Sequence, residues 1–214
     1  ALRGVRLEFG VEQFVPAGDP EFRRYEELNA EFGRDDNTAF VFATRAQGWF
    51  DPAGVELACE LAEALGDSPL VEEVAGPTTA WLIREEGAEV YVGPILTRKR
   101  IAQLDAAALT RLEGDLVRDP LYAGRVISPD GETLTFAVRV AEHAYGGRFH
   151  RAVVEHVEGK LAGFRRPGLS FDLTGGPPTQ HAYRLFLLRD ARVFVLGVAL
   201  LLGATLWITF RSLA

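Results

Sequence analysis

Side chains able to do chemistry are few in this sequence, and their spacing does not assemble a reaction centre. The histidines are His143, His150, His156 and His181, and no pair has the i, i+4 spacing that puts two metal ligands on one helical face. His150 and His156 share one predicted helix but are six residues apart, which turns them to different faces. Cys59 is the single cysteine, so it has no second thiolate for a metal and no partner for an internal disulfide. Ser128 and Ser170 lack the G-x-S-x-G context of a hydrolase elbow, and no glycine-rich phosphate loop occurs. Neither a nucleophile with its base nor a metal or cofactor site can be built from these residues. The expectation is a protein that is not an enzyme and that takes no cofactor.

Three charged groups read as surface features. Glu56, Glu60 and Glu63 fall within ~60° of one another on a helix turning ~100° per residue, as a solvated face does. Arg98, Lys99 and Arg100 form a basic patch, read as a loop surface, with lipid headgroups as the alternative partner. Asp190 stands among Arg184, Arg189 and Arg192, which suits a local ion pair at a membrane interface better than a transport acid.

The next residues concern mechanics. Gly175-Gly176-Pro177-Pro178 joins glycines, which tolerate large φ/ψ change, to prolines, which restrict it. These four are the candidate hinge, and a plain loop ending a strand is the rival reading. Downstream, Val193 to Phe210 is an 18-residue run without a charge, bounded by Arg192 and Arg211 and carrying Trp207 near one end. As a helix it measures about 27 Å at ~1.5 Å per residue, close to a hydrocarbon core of ~30 Å. Arg192, Trp207 and Arg211 mark its boundaries. The Gly175–Pro178 run is expected to break any helix before Thr179; no proline follows Pro178, so within the linker and helix extension of 177–192 the spanning helix is expected to reach outward as far as Thr179.

The elements ahead of it are punctuated clearly. Residues 1–36 hold a lead-in and a helix opened by Asp19-Pro20-Glu21, with Phe22, Tyr25, Leu28 and Phe32 at helical spacing and Gly33 as a stop. A strand over 38–44 and a helix from Asp51-Pro52 to Leu65 follow, then a strand over 70–76. Thr78 to Tyr122 reads as an insertion, with a strand over 89–96 and a helix begun by Asp105. Residues 124–140 read as a hairpin turning at Pro129-Asp130-Gly131, with Leu134, Phe136, Val138 and Val140 on one face. A helix over 147–162 and a strand over 169–175 complete the domain of 37–176. The fold class expected is α+β: a ferredoxin-like βαββαβ domain, an insertion between its second and third core strands, and one transmembrane α-helix.

Composition narrows the partners. The 214 residues carry 23 Lys+Arg against 30 Asp+Glu, a formal charge of −7, which argues against nucleic acid. Apolar residues at 48% and charged residues at 25% fit a folded chain. Met is absent and Ala1 is first, so the sequence reads as an excerpt of a larger protein. The arginines ahead of the span outnumber the one after it, a count that by itself places the domain in the cytoplasm.

The succession FVPAGDPEFRRYEELNAEFG, WFDPAGVELACELAEALGDSPLVEEVAG, DPLYAGRVISPDGETLTFAVRV, LSFDLTGGP and a membrane helix ending TFRS resembles the resistance–nodulation–division (RND) superfamily of membrane exporters. More narrowly, it is similar to the exporters related to the mycobacterial large membrane proteins. The resemblance covers nearly the whole chain. It implies the first extracytoplasmic porter domain followed by the second membrane helix, in a multi-pass inner- or plasma-membrane protein, against the charge count above. It also implies proton-motive-force-driven export of hydrophobic or amphipathic, lipid-like molecules, with the proton-relay acids in a later helix outside these residues. The implied partners are the remainder of the same chain, the substrate and membrane lipid; a homo-oligomer is compatible with them. The alternatives are a membrane-anchored extracytoplasmic binding module without transport activity and the extracytoplasmic domain of an ATP-driven permease.

Overall fold

The computed structural model describes residues 19–32, 36–86, 89–141 and 147–211. The lead-in over 1–18, the stop at Gly33 and His143 lie outside the described residues. The elements are α1 (Pro20–Phe32), β1 (Thr38–Arg45), α2 (Pro52–Gly66), β2 (Val71–Ala75), β3 (Trp81–Glu86), β4 (Glu89–Pro94), α3 (Arg98–Ile101), α4 (Ala106–Leu116), β5 (Thr133–Val140), α5 (Gly147–Ala162), β6 (Leu169–Gly175) and α6 (Gly176–Arg211).

Capping fixes the starts of three helices. The Asp19 carboxylate accepts from the Glu21 N–H at 2.8 Å, the Asp51 carboxylate from the Gly54 N–H at 2.8 Å, and the Asp105 carboxylate from the Ala108 N–H at 2.7 Å. Helix α1 buries none of its residues, and Tyr25, Leu28 and Phe32 stay exposed along its apolar side.

The main sheet has the order β2-β5-β1-β6 with every neighbouring pair antiparallel. In its register Val41 of β1 lies between Phe136 of β5 and Leu173 of β6. Period-two alternation turns Ala39, Val41 and Ala43 with Leu134, Phe136, Val138 and Val140 to one side. There they form one core with Val55, Leu61 and Leu65 of α2 and Val153, Val157 and Leu161 of α5. Trp49, the largest wholly buried side chain, plugs the end of this core and donates its indole N–H to Glu132 O at 2.8 Å.

Two sequence expectations change here. The hairpin arm before Pro129 is not a strand. Gly124 adopts φ +72°, and the N–H groups of Arg125, Val126 and Ile127 all turn back to Tyr122 O, so only an Ile127–Leu134 bridge remains. Both edges of β5 are otherwise occupied, by β1 along its length and by β2 from Ala137 to Val140. The turn itself stands, with Gly131 at φ +76°. In the insertion, β4 stops at Pro94 and pairs with β3, a strand absent from the sequence reading. Ile95, Leu96, Leu109, Leu112 and Leu116 join the main core, while Trp81, Ile83, Val90 and Val92 point outward from the β3–β4 ribbon.

Candidate functional site

No group of three or more His, Cys, Asp and Glu side chains that could hold a metal occurs among the described residues. His150 lies beside the Phe149 ring, with centroids 6.0 Å apart, and His156 Nε2 sits 3.4 Å from Leu65 O at the end of α2. His181 is on α6. Cys59 is buried, and burial pushes its thiol above the ordinary range, so it is a poor nucleophile.

The basic patch and the acidic face meet each other. Thr97 caps α3 by accepting from the Arg100 N–H at 3.2 Å. From that helix Arg98 Nε donates to Glu56 at 2.7 Å, and its Nη atoms engage both oxygens of Glu63. This fork ties the insertion to α2 and holds the Glu63 carboxyl below the ordinary range, through the hydrogen bond first and the arginine's charge second. Arg100 instead turns inward, 4% exposed, with Cζ 3.7 Å over the Tyr91 ring. Lys99 and Glu60 remain exposed. Three adjacent cations thus do three different things, and only long-range folding reveals it.

The structure gathers the other singled-out residues along α6. No loop separates it from the sheet: β6 ends at Gly175 and α6 begins at Gly176. Pro177 and Pro178 were expected to forbid a helix before Thr179; they occupy its first turn instead, where a missing N–H costs nothing. Pro177 is buried, and the first turns of α6 lie against α5, β6 and β1. Half-buried Gln180, His181, Arg184 and Leu188 follow, and from Arg189 to Arg211 every residue is exposed.

Between Arg192 and Arg211 this exposed part carries no charge. Helix α6 has 36 residues, and its apolar 18-residue window has mean hydropathy 2.3 with none of it buried by the described residues. Its length of about 54 Å exceeds a hydrocarbon core of ~30 Å, so its first turns stand outside such a core. Within the apolar stretch the hydroxyls of Thr205 and Thr209 donate to Leu201 O and Thr205 O, each at 2.8 Å. They carry no unsatisfied donor into lipid. Near the end Arg211 Cζ lies 5.4 Å from the centroid of the Trp207 ring, a pairing of cation and aromatic. Arg192 is exposed just ahead of the uncharged run.

A comparison with curated proteins finds no match. A single large apolar helix of this kind also occurs in proteins of unrelated function, so the family must come from the whole pattern. The sequence model of the MMPL family matches residues 13–214, which takes in the domain, the insertion and the apolar helix together. On that match the chain belongs to the MMPL family of RND-type membrane exporters.

Proposed function

We propose that this chain is the part of a proton-motive-force-driven exporter that supplies an extracytoplasmic substrate-path domain and the helix linking it to the membrane. The substrate class is hydrophobic or amphipathic, of lipid-like character, and the role of this part is mechanical rather than catalytic. Family membership supports the exporter reading. The strand order β2-β5-β1-β6, with α2 following β1 and α5 following β5, supports a ferredoxin-like porter domain. In this reading the domain lies on the periplasmic or outer side of an inner or plasma membrane, against the arginine count, because long domains cross with little regard to flanking charge.

The observation that carries the proposal is the continuity of α6. One uninterrupted helix is packed on the domain at its start and has an apolar, wholly exposed surface at its end. Domain movement and membrane-side events therefore share a rod, as rocking mechanisms require. The test uses the full exporter in proteoliposomes with an imposed proton gradient and a fluorescent lipid-like substrate. Export should cease when a protonophore collapses the gradient, and also in the double variant Leu187→Pro/Leu188→Pro, which breaks the rod between its two parts. Undiminished export by the double variant overturns coupling through α6; export indifferent to the protonophore overturns the energy source.

A further inference from the structure

Four backbone segments converge where the sheet passes into α6. Gly175 has φ +104°, a left-handed conformation, and a Cβ there would fall onto Thr38 O and lie 3.1 Å from Ala39 Cα. A Cβ on Gly176 would overlap Asp36 O and lie 2.6 Å from Asp36 C. The same lead-in to β1 is pinned from its other side, where the Val140 N–H donates to Asn37 O at 3.0 Å. Asn37 is 4% exposed. Pro177 and Pro178 then fix φ through the first helical turn.

We infer that the Gly175–Pro178 junction is a fixed joint rather than a hinge, so that the sheet and α6 turn as one lever. The glycines serve close approach: they let α6 start against the backbone of Asp36, Thr38 and Ala39. A hinge needs room for φ/ψ to change, and backbone atoms fill that room here. The lever continues past the joint. Sharp helix kinks come from proline, glycine or inserted groups, and no proline or glycine lies between Thr179 and Leu196. A tilt of the sheet therefore becomes a tilt of the apolar span. The purpose of that tilt rests on the exporter reading above; the rigidity of the joint does not.

The test separates the two. In the full chain, nitroxides replace Ser170 on β6 and Asp190 on α6, both exposed, and electron–electron distances are measured with and without a proton gradient. A fixed joint gives one narrow distribution that shifts by less than about 2 Å between the two conditions. A broad distribution, or a larger shift, overturns the proposal even if the protein exports nothing. Substitutions give a second readout. Gly176→Ala should broaden the distribution and abolish export. Gly168→Ala should leave both unchanged, since Gly168 also has positive φ, at +80°, but no atom within 4 Å of a built Cβ. A Gly176→Ala protein with wild-type distances and export overturns the proposal that close approach to the Asp36 backbone fixes the joint.

Discussion

Two apolar populations in this molecule have similar residue types and opposite surroundings. Val41, Phe136, Leu134 and Val138 are at most 1% exposed, while Phe194, Leu200 and Trp207 are at least 65% exposed. In the domain, burial follows a strict alternation that leaves every second strand residue for the other face. On α6 from Val193 to Phe210 there is no such alternation and no polar side to turn to water. The difference teaches that the domain builds its own apolar environment, whereas the helix needs one supplied from outside, by lipid or by neighbouring helices.

The sharpest way to break this comparison is one substitution in each population. Phe136→Ala should destabilise the domain by about 3–5 kcal/mol, through lost transfer energy and the cavity left behind. Phe194→Ala should leave the domain's unfolding transition in place. Urea unfolding of the detergent-solubilised protein decides it, and equal losses would mean that the two populations share one core. A charge sharpens the contrast from the other direction. Leu201→Arg should cost about 2.5–3.5 kcal/mol of insertion at the helix centre. Leu187→Arg, ahead of the charged ring at Arg189, Asp190 and Arg192, should insert as the wild type does. Glycosylation-site mapping reports both.

A smaller effect tests how the domain holds its first crossover. Asp51 caps α2 and also receives Arg45, whose side chain is 13% exposed and which donates to Gly48 O as well. Burial would raise the Asp51 carboxyl, but hydrogen bonds from Arg45 and Gly54 outweigh it and hold it below the ordinary range. Asp51→Ala should cost about 1–2 kcal/mol as a lost cap. Because the folded-state value is depressed, this stabilisation is present above the unfolded value of ~3.9 and fades as pH falls below it. The variant's deficit, measured by thermal unfolding, should therefore shrink in acid.

Local chemistry explains which parts were legible in the sequence. The caps at Asp19, Asp51 and Asp105, the alternation through Leu134 to Val140 and the Gly131 turn are each decided within a few residues. Strand β3 escaped because its outer face is as apolar as its inner one: Trp81 and Ile83 are exposed while Leu82 is buried, which erases the period of two. The Arg98 fork escaped because Glu56 and Glu63 lie 42 and 35 residues away. At the junction, sequence shows that Gly175 and Gly176 permit unusual backbone, not that Asp36 and Thr38 press against them. Nothing local distinguishes a glycine that bends from one that makes room.

The Arg98 fork gives the next smaller prediction. Its charges are exposed, so Arg98→Ala should leave the global unfolding midpoint unchanged within error, as surface ion pairs usually do. Local opening should respond instead. Amide exchange in α3 should quicken, and added salt should produce the same acceleration in the wild type. An unfolding midpoint that drops as far as in Asp51→Ala would mean that the fork, and not only the insertion's buried leucines and isoleucines, holds the insertion to the main core.

The smallest effect has the opposite sign to that at Asp51. Glu113 on α4 lies over the turn, near enough that a Cβ on Gly131 would sit 2.5 Å from its Oε1, and a Cβ on Gly48 3.6 Å from it. Burial raises its carboxyl above the ordinary range. Below the unfolded value of ~4.3 both states hold the proton and no penalty applies; as pH rises through the folded value, a carboxylate must be kept away from water. This group therefore weakens the domain at neutral pH, where Asp51 strengthens it. Glu113→Gln keeps the shape and removes the charge, so its unfolding midpoint should lie slightly above wild type at pH 7 and coincide with it near pH 4. A variant that is less stable at pH 7 would show that the carboxylate is satisfied where it sits, and that the two acids of the domain differ in position but not in sign.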